Sequence, residues 1–256
     1  MLYKTGFLLL LLSICWSLSV VNAQTRLFNT ELDNPLAEKA VEWQHIAFIA
    51  EALQNDFKSA LAATDSALLL WDKLGAQPEI AKLNRYRGLL LARLNRYSEA
   101  KLALCRAKSM FEQQKAVYGL ALTHYEWGRV CLLARELDSA QYYTQIALSS
   151  WQLEKHDSRL FQAKVQLLYL YARQFNFPDA ERLQVELDES LMRFPIDRLK
   201  KLDYWYVKRY FSEKKLDWSA YEQYNHEYVA LIAAFAAEGS TVVSFYSLLG
   251  EKIPQN

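Results

Sequence analysis

The chain has 256 residues, 52% of them hydrophobic and 23% charged, with only 7 Gly and 5 Pro. That much apolar material excludes a disordered chain, and so few turn-forming residues argue against an all-β fold. The formal net charge of +1 gives no general attraction for nucleic acid or an anionic lipid surface.

In chain order, residues 1–23 read as a secretory signal peptide. Lys4 is the positive flank, an apolar run extends from Phe7 to Val21, and Val21-Asn22-Ala23 supplies a cleavage site. Cleavage after Ala23 and a secreted or periplasmic location are therefore expected, with an uncleaved anchor as the alternative. Cys15 follows Ile14 instead of a small residue, which disfavours lipid attachment. Cleavage also removes Lys4, the one charge in that segment, leaving 29 basic and 29 acidic residues. Residues 24–36 form an N-terminal linker.

From residue 37 onward the chain repeats itself. Ala60, Ala100, Ala140 and Ala180 recur every 40 residues, each preceded by three positions by Phe57, Tyr97, Leu137 or Phe177. Seven residues after each Ala come Ala67, Ala107, Ala147 and Leu187; twelve before stand Phe48, Gly88, Gly128 and Leu168. Four columns keep one register without insertion. The local text agrees, as in Asn55-Asp56-Phe57-Lys58-Ser59-Ala60 against Asn95-Arg96-Tyr97-Ser98-Glu99-Ala100.

Within the second unit, apolar residues at helical spacing predict one helix near Glu79–Leu94 and another near Tyr97–Gln113. Gly75, Gly119 and Pro195 mark places where helices should stop, and Asp157-Ser158 reads as an N-cap. Trp218, Tyr221 and Tyr228 fit a fifth, degraded unit after a one-residue shift. The units are expected at about 37–76, 77–116, 117–156, 157–196 and 197–236, followed by a capping segment and tail over 237–256. The cluster Tyr204, Trp205, Tyr206, Tyr210 and Phe211 reads as core of the last pair, and Glu238-Gly239-Ser240-Thr241 interrupts the apolar tail, so no stable membrane span is expected.

This pattern resembles the tetratricopeptide repeat, in a variant with a 40-residue period where about 34 is usual. The resemblance implies an all-α, right-handed superhelix of antiparallel helix hairpins, with small residues letting paired helices approach and first helices lining a concave groove. Phe48 and Leu168 depart from the family's small position. Carrying the groove columns over gives His45, Arg85, Arg93, Tyr125, Arg129, Tyr169, Arg173 and Arg209 as candidate partner-binding residues, with Tyr210 the alternative to Arg209. Arginine interleaved with tyrosine suits a protein or peptide partner, an acidic one being one reading, since guanidinium pairs with carboxylate and stacks on rings; ordinary solvated Arg is the alternative. The carboxylate-clamp form of the family needs Asn where this chain has Ile49, Leu89, Arg129 and Tyr169, which disfavours chaperone-tail binding.

No motif for chemistry stands out. His45, His124, His156 and His226 share no helical spacing, carboxylates are scattered along faces expected to be solvated, and no His-Glu-x-x-His, Cys-x-x-Cys or Gly-rich phosphate loop occurs. No catalytic residue, metal or cofactor is expected. Cys105 and Cys131 read as small buried apolar residues, a disulfide being the minor alternative. The leading functional expectation is an exported scaffold holding a protein or peptide. An extracytoplasmic sensory or regulatory module comes second, and an enzyme with an unrecognised site third.

Overall fold

The computed structural model describes residues 34–52, 54–238 and 245–249, and the segment expected to be a signal peptide lies outside these. Among the described residues all regular structure is helical. In chain order the helices are α1 (Pro35–Ala52), α2 (Phe57–Lys73), α3 (Gln77–Arg93), α4 (Tyr97–Gln113), α5 (Val117–Leu133), α6 (Leu137–Leu153), α7 (Asp157–Arg173), α8 (Phe177–Arg193), α9 (Arg198–Lys214) and α10 (Trp218–Ala237). A short 3-10 turn, Phe245–Leu249, follows. Consecutive helices pair as hairpins, and each hairpin packs on the next to build an all-α helical-repeat superhelix.

The period has a local origin. The helices from α2 to α9 are each 17 residues long. The six links from α2 to α8, and the one between α9 and α10, have three residues, the middle one left-handed: Gly75, Asn95, Lys115, Arg135, Lys155, Phe175 and Leu216 all have φ between 54° and 65°. The next residue sends its N–H back across the turn, as Ala76 to the Trp71 carbonyl (3.1 Å) and Glu136 to the Cys131 carbonyl (2.8 Å). This Schellman closure ends one helix and aims the next. Only Gly75 adopts the left-handed region without steric penalty. Arg135→Gly is accordingly expected to stabilise the protein by about 0.5–1 kcal/mol, measurable as a shift in the urea midpoint.

Two links are one residue longer, and both reset the register. Residues 53–56 join α1 to α2, where Asp56 N–H reaches the Ala50 carbonyl, six residues back instead of five. The small position of the first hairpin is therefore Ala47, fully buried, and not Phe48, which is 63% exposed. Residues 194–197 join α8 to α9; Phe194 is extended (φ −136°, ψ 155°), as a residue before proline prefers, and Pro195 prevents the usual closure. That extra residue is the shift in the fifth unit.

Other details differ from expectation. Helix α3 begins at Gln77, two residues before Glu79. Gly119 does not end a helix: it lies in the first turn of α5, where a Cβ would come within 2.5 Å of the Phe111 ring. Asp157 is the first residue of α7, not its cap; His156 precedes it and offers no side-chain bond. The preceding Schellman turn starts that helix, so no capping side chain is required.

The repeated small residues carry the seams. Ala60, Ala100, Ala140 and Ala180 are all fully buried, as are Ala67, Ala107, Ala147 and Leu187. Across the second and third hairpins the backbones nearly touch: a Cβ on Gly88 would lie 3.2 Å from the Ala100 carbonyl, and one on Gly128 would lie 3.1 Å from that of Ala140. Larger side chains fill the space inside a hairpin farther from the turn, notably Trp151 against Tyr125 with ring centroids 5.4 Å apart. Cys131 is buried and Cys105 exposed; both thiols are free, and burial, with Glu136 nearby, pushes the Cys131 thiol up to about 12.

His124 is also buried, stacked on Tyr143 at 6.1 Å, with Lys108 and Glu112 nearby. Burial, reinforced by the Lys108 charge, lowers its pKa. The unfolded chain then takes up a proton that the folded one resists, so stability falls as pH drops through about 6.5 and levels off below the folded pKa. Urea melts at pH 7.5 and 5.0 should show this loss, and His124→Leu should remove that share of it.

Candidate functional site

Because α3, α5, α7 and α9 are the first helices of successive hairpins, side chains spaced four residues apart on each share one face. From α3 comes Arg93, from α5 Tyr125 and Arg129, from α7 Tyr169, and from α9 Asp203 and Tyr210. All converge on the 3-10 turn. The Arg129 guanidinium lies 3.8 Å from the Phe245 ring centroid and that of Arg93 lies 5.2 Å away. Tyr246 packs on Tyr169 at 5.0 Å, and Tyr169 in turn on Tyr210 at 5.0 Å. Tyr125 lies near Tyr246 and helps to raise its pKa, after burial as the main cause. The backbone N–H of Phe245 donates to Asp203 Oδ1 at 2.9 Å. Phe245 and Tyr246 are both buried by these contacts.

Glu126 sets the electrostatics. It is buried and stands between two arginines, Arg85 Nη1 at 3.6 Å and Arg129 Nη1 at 3.3 Å. Burial acts most strongly on the Arg129 cation and opposes it, but Glu126, Tyr125, Asp203 and Tyr246 together outweigh burial and raise the pKa. Burial lowers Arg85 despite the same carboxylate. Arg93 has no carboxylate as close, and burial, with the Arg129 charge beside it, brings it down to about 10. Arg93 Nη1 and Arg129 Nε are buried N–H donors with no partner among the described residues. Burial holds Tyr125 and Tyr246 well above the ordinary tyrosine range, so both remain neutral hydroxyls. The site offers cation–π faces, hydroxyls and one carboxylate acceptor; it can grip a ring and a backbone N–H.

Arg173, at the end of α7, lies beside this face, its Nη1 3.3 Å from the Tyr169 hydroxyl and its guanidinium 6.0 Å from that ring's centroid. Arg209 does not face the groove: it donates to Asn225 Oδ1 at 2.9 Å and stacks on Tyr206 and Tyr228 within its own hairpin. Its neighbour Tyr210 takes the groove position, because the longer link before α9 turns that helix by one residue. For the same reason Gln44, not His45, stands in register with Arg85; His45 is half-buried on α1. Glu126, Asp203 and Phe245 escaped the sequence reading. Glu126 corrects the expectation that carboxylates are solvated; its place three residues before Arg129 was the available signal. Nothing in the spacing marks Asp203.

Among the described residues no group of His, Cys, Asp and Glu could hold a metal ion, and no helix is long and apolar enough to cross a membrane.

The fold and face together define a TPR-like helical-repeat protein with a side-chain-lined groove. A Rap protein, crystallised in complex with Competence and Sporulation Factor, superimposes with a TM-score of 0.63 at 16% identity, over 84% of this chain and 64% of that one. BtubC (BKLC) from P. vanneervenii superimposes with a TM-score of 0.50 at 13% identity, over 79% of this chain and 93% of that one. The chain thus spans less than two thirds of the Rap protein. These likenesses establish the shared fold. No protein-family model and no curated protein matches the sequence.

Proposed function

We propose that this is an exported tetratricopeptide-type binding protein that holds a peptide in the groove lined by α3, α5, α7 and α9. The observation carrying the reading is the convergence of Arg93, Arg129, Tyr125 and Tyr169 on a short turn of backbone, Phe245–Leu249, with buried arginine donors still unmatched. Buried donors without acceptors are costly, and a ligand backbone carbonyl would satisfy them. The Rap neighbour, complexed with Competence and Sporulation Factor, has the same fold and supports a peptide as the ligand class. Binding, not catalysis, is the activity. Export rests on residues 1–23, and secreted protein of intact mass beginning at Gln24 is the expected outcome.

A peptide-array screen followed by calorimetric titration tests the groove. Arg129→Met is expected to weaken a captured peptide about tenfold or more, with an unchanged circular-dichroism spectrum. Equal affinity in wild type and variant would count against the reading. A second reading, a sensory or regulatory module responding to such a peptide, is favoured by the same neighbour. It predicts that ligand addition changes association with a membrane-bound or DNA-binding protein.

A further inference from the structure

The groove is already occupied, and the occupant is part of the chain. Phe245 lies against two guanidinium groups, 3.8 Å from Arg129 and 5.2 Å from Arg93. The adjacent Tyr246 lies against Tyr169, and the Phe245 backbone N–H is read by Asp203. The contacts come from four hairpins and from both side chains and main chain. They leave Phe245 5% exposed and Tyr246 2% exposed. A segment whose only task was to cover the end of the array would pack on α10, the last helix; this one turns back onto first helices as far away as α3.

We infer that residues 245–249 are a built-in occupant of the groove, and that the external ligand replacing them is a peptide bearing two adjacent aromatic residues. The inference rests on the peptide-binding reading above and specifies its ligand and its regulation. The chemistry selects the class. Arg85 and Arg129 already share Glu126, so an acidic ligand finds half-neutralised cations, whereas Arg93 and Arg129 both lie against one ring. Asp203, which accepts the Phe245 N–H at 2.9 Å, would repel a second carboxylate at that place. A tethered occupant competes at high effective concentration, so a free peptide binds in proportion to the fraction of molecules whose groove is open.

The test uses the full chain and a fluorescein-labelled synthetic peptide of residues 242–249, Val-Val-Ser-Phe-Tyr-Ser-Leu-Leu. In anisotropy titrations, Phe245→Ser/Tyr246→Ser is expected to bind it about tenfold or more tightly than wild type, as follows if the tail fills at least nine-tenths of grooves. Adding Arg129→Met to that variant should abolish the gain. Equal affinity in wild type and double variant overturns self-occupancy. Failure of the double variant to bind this peptide, while arrayed peptides of other composition still bind through Arg129, overturns the aromatic-pair inference and leaves the groove reading intact. Loss of Arg129-dependent binding to every peptide removes both. Hydrogen exchange on unmodified protein supplies a readout free of any folding defect in the variant. Saturating peptide should speed exchange at residues 245–249 and protect α5; unchanged exchange in the tail overturns the proposal.

Discussion

Ala100→Glu is expected to abolish cooperative unfolding of the array, and Ala140→Glu to do the same. Both alanines are fully buried where the two helices of a hairpin come closest, opposite glycines whose own Cβ would crowd the facing backbone. A glutamate there has no room to reach water and no basic partner, so the seam must open or the carboxyl must remain protonated. Either route costs several kcal/mol, on the order of 4 or more, comparable with the whole stability of many domains. Ser98→Glu is the control: it places the same charge on the exposed first turn of the same helix, where the helix dipole favours it. Thermal melts by circular dichroism decide the matter. An Ala100→Glu melt coinciding with wild type would mean that α3 and α4 do not meet as described.

The second large effect concerns Glu126. Glu126→Ala leaves Arg85 and Arg129 facing each other with no carboxylate between them, each side chain only about one-fifth exposed. Breaking a fully buried pair costs about 3–5 kcal/mol; partial solvent access here reduces the expected loss to roughly 2–3 kcal/mol. Adding Arg129→Met should recover part of that loss, because it removes the stranded cation. A double-mutant cycle in urea measures the coupling. Additive losses would mean that Glu126 and Arg129 do not act as a pair.

Much of the architecture was legible because helix length and link length are both written in short-range chemistry. A small residue such as Ala100 or Gly88 is required wherever two backbones meet, and a 17-residue helix with a three-residue link repeats that demand every 20 positions. Counting at a fixed period fails where a link gains one residue. Phe48 was matched to Gly88 because nothing in Leu53-Gln54-Asn55-Asp56 announces the longer turn, and Arg209 was placed on the groove for want of the shift that Pro195 introduces. Arg93, Arg129 and Tyr169, named from the repeat columns, lie together against the Phe245–Leu249 turn. The groove's occupant was not legible: Phe245 meets Arg129 across 116 positions, and neither composition nor periodicity encodes a contact between a repeat and a segment outside the repeats.

Phe245 and Tyr246 touch side chains from α3, α5, α7 and α9, whereas the hairpins otherwise meet chiefly their immediate neighbours. A stack of neighbours behaves as a spring, free to tighten or slacken by small rotations at each joint. A pin driven through four coils at once fixes their pitch. Exchange of that pin for another peptide would be felt along the whole spring, turning a local event of a few side chains into a change of curvature.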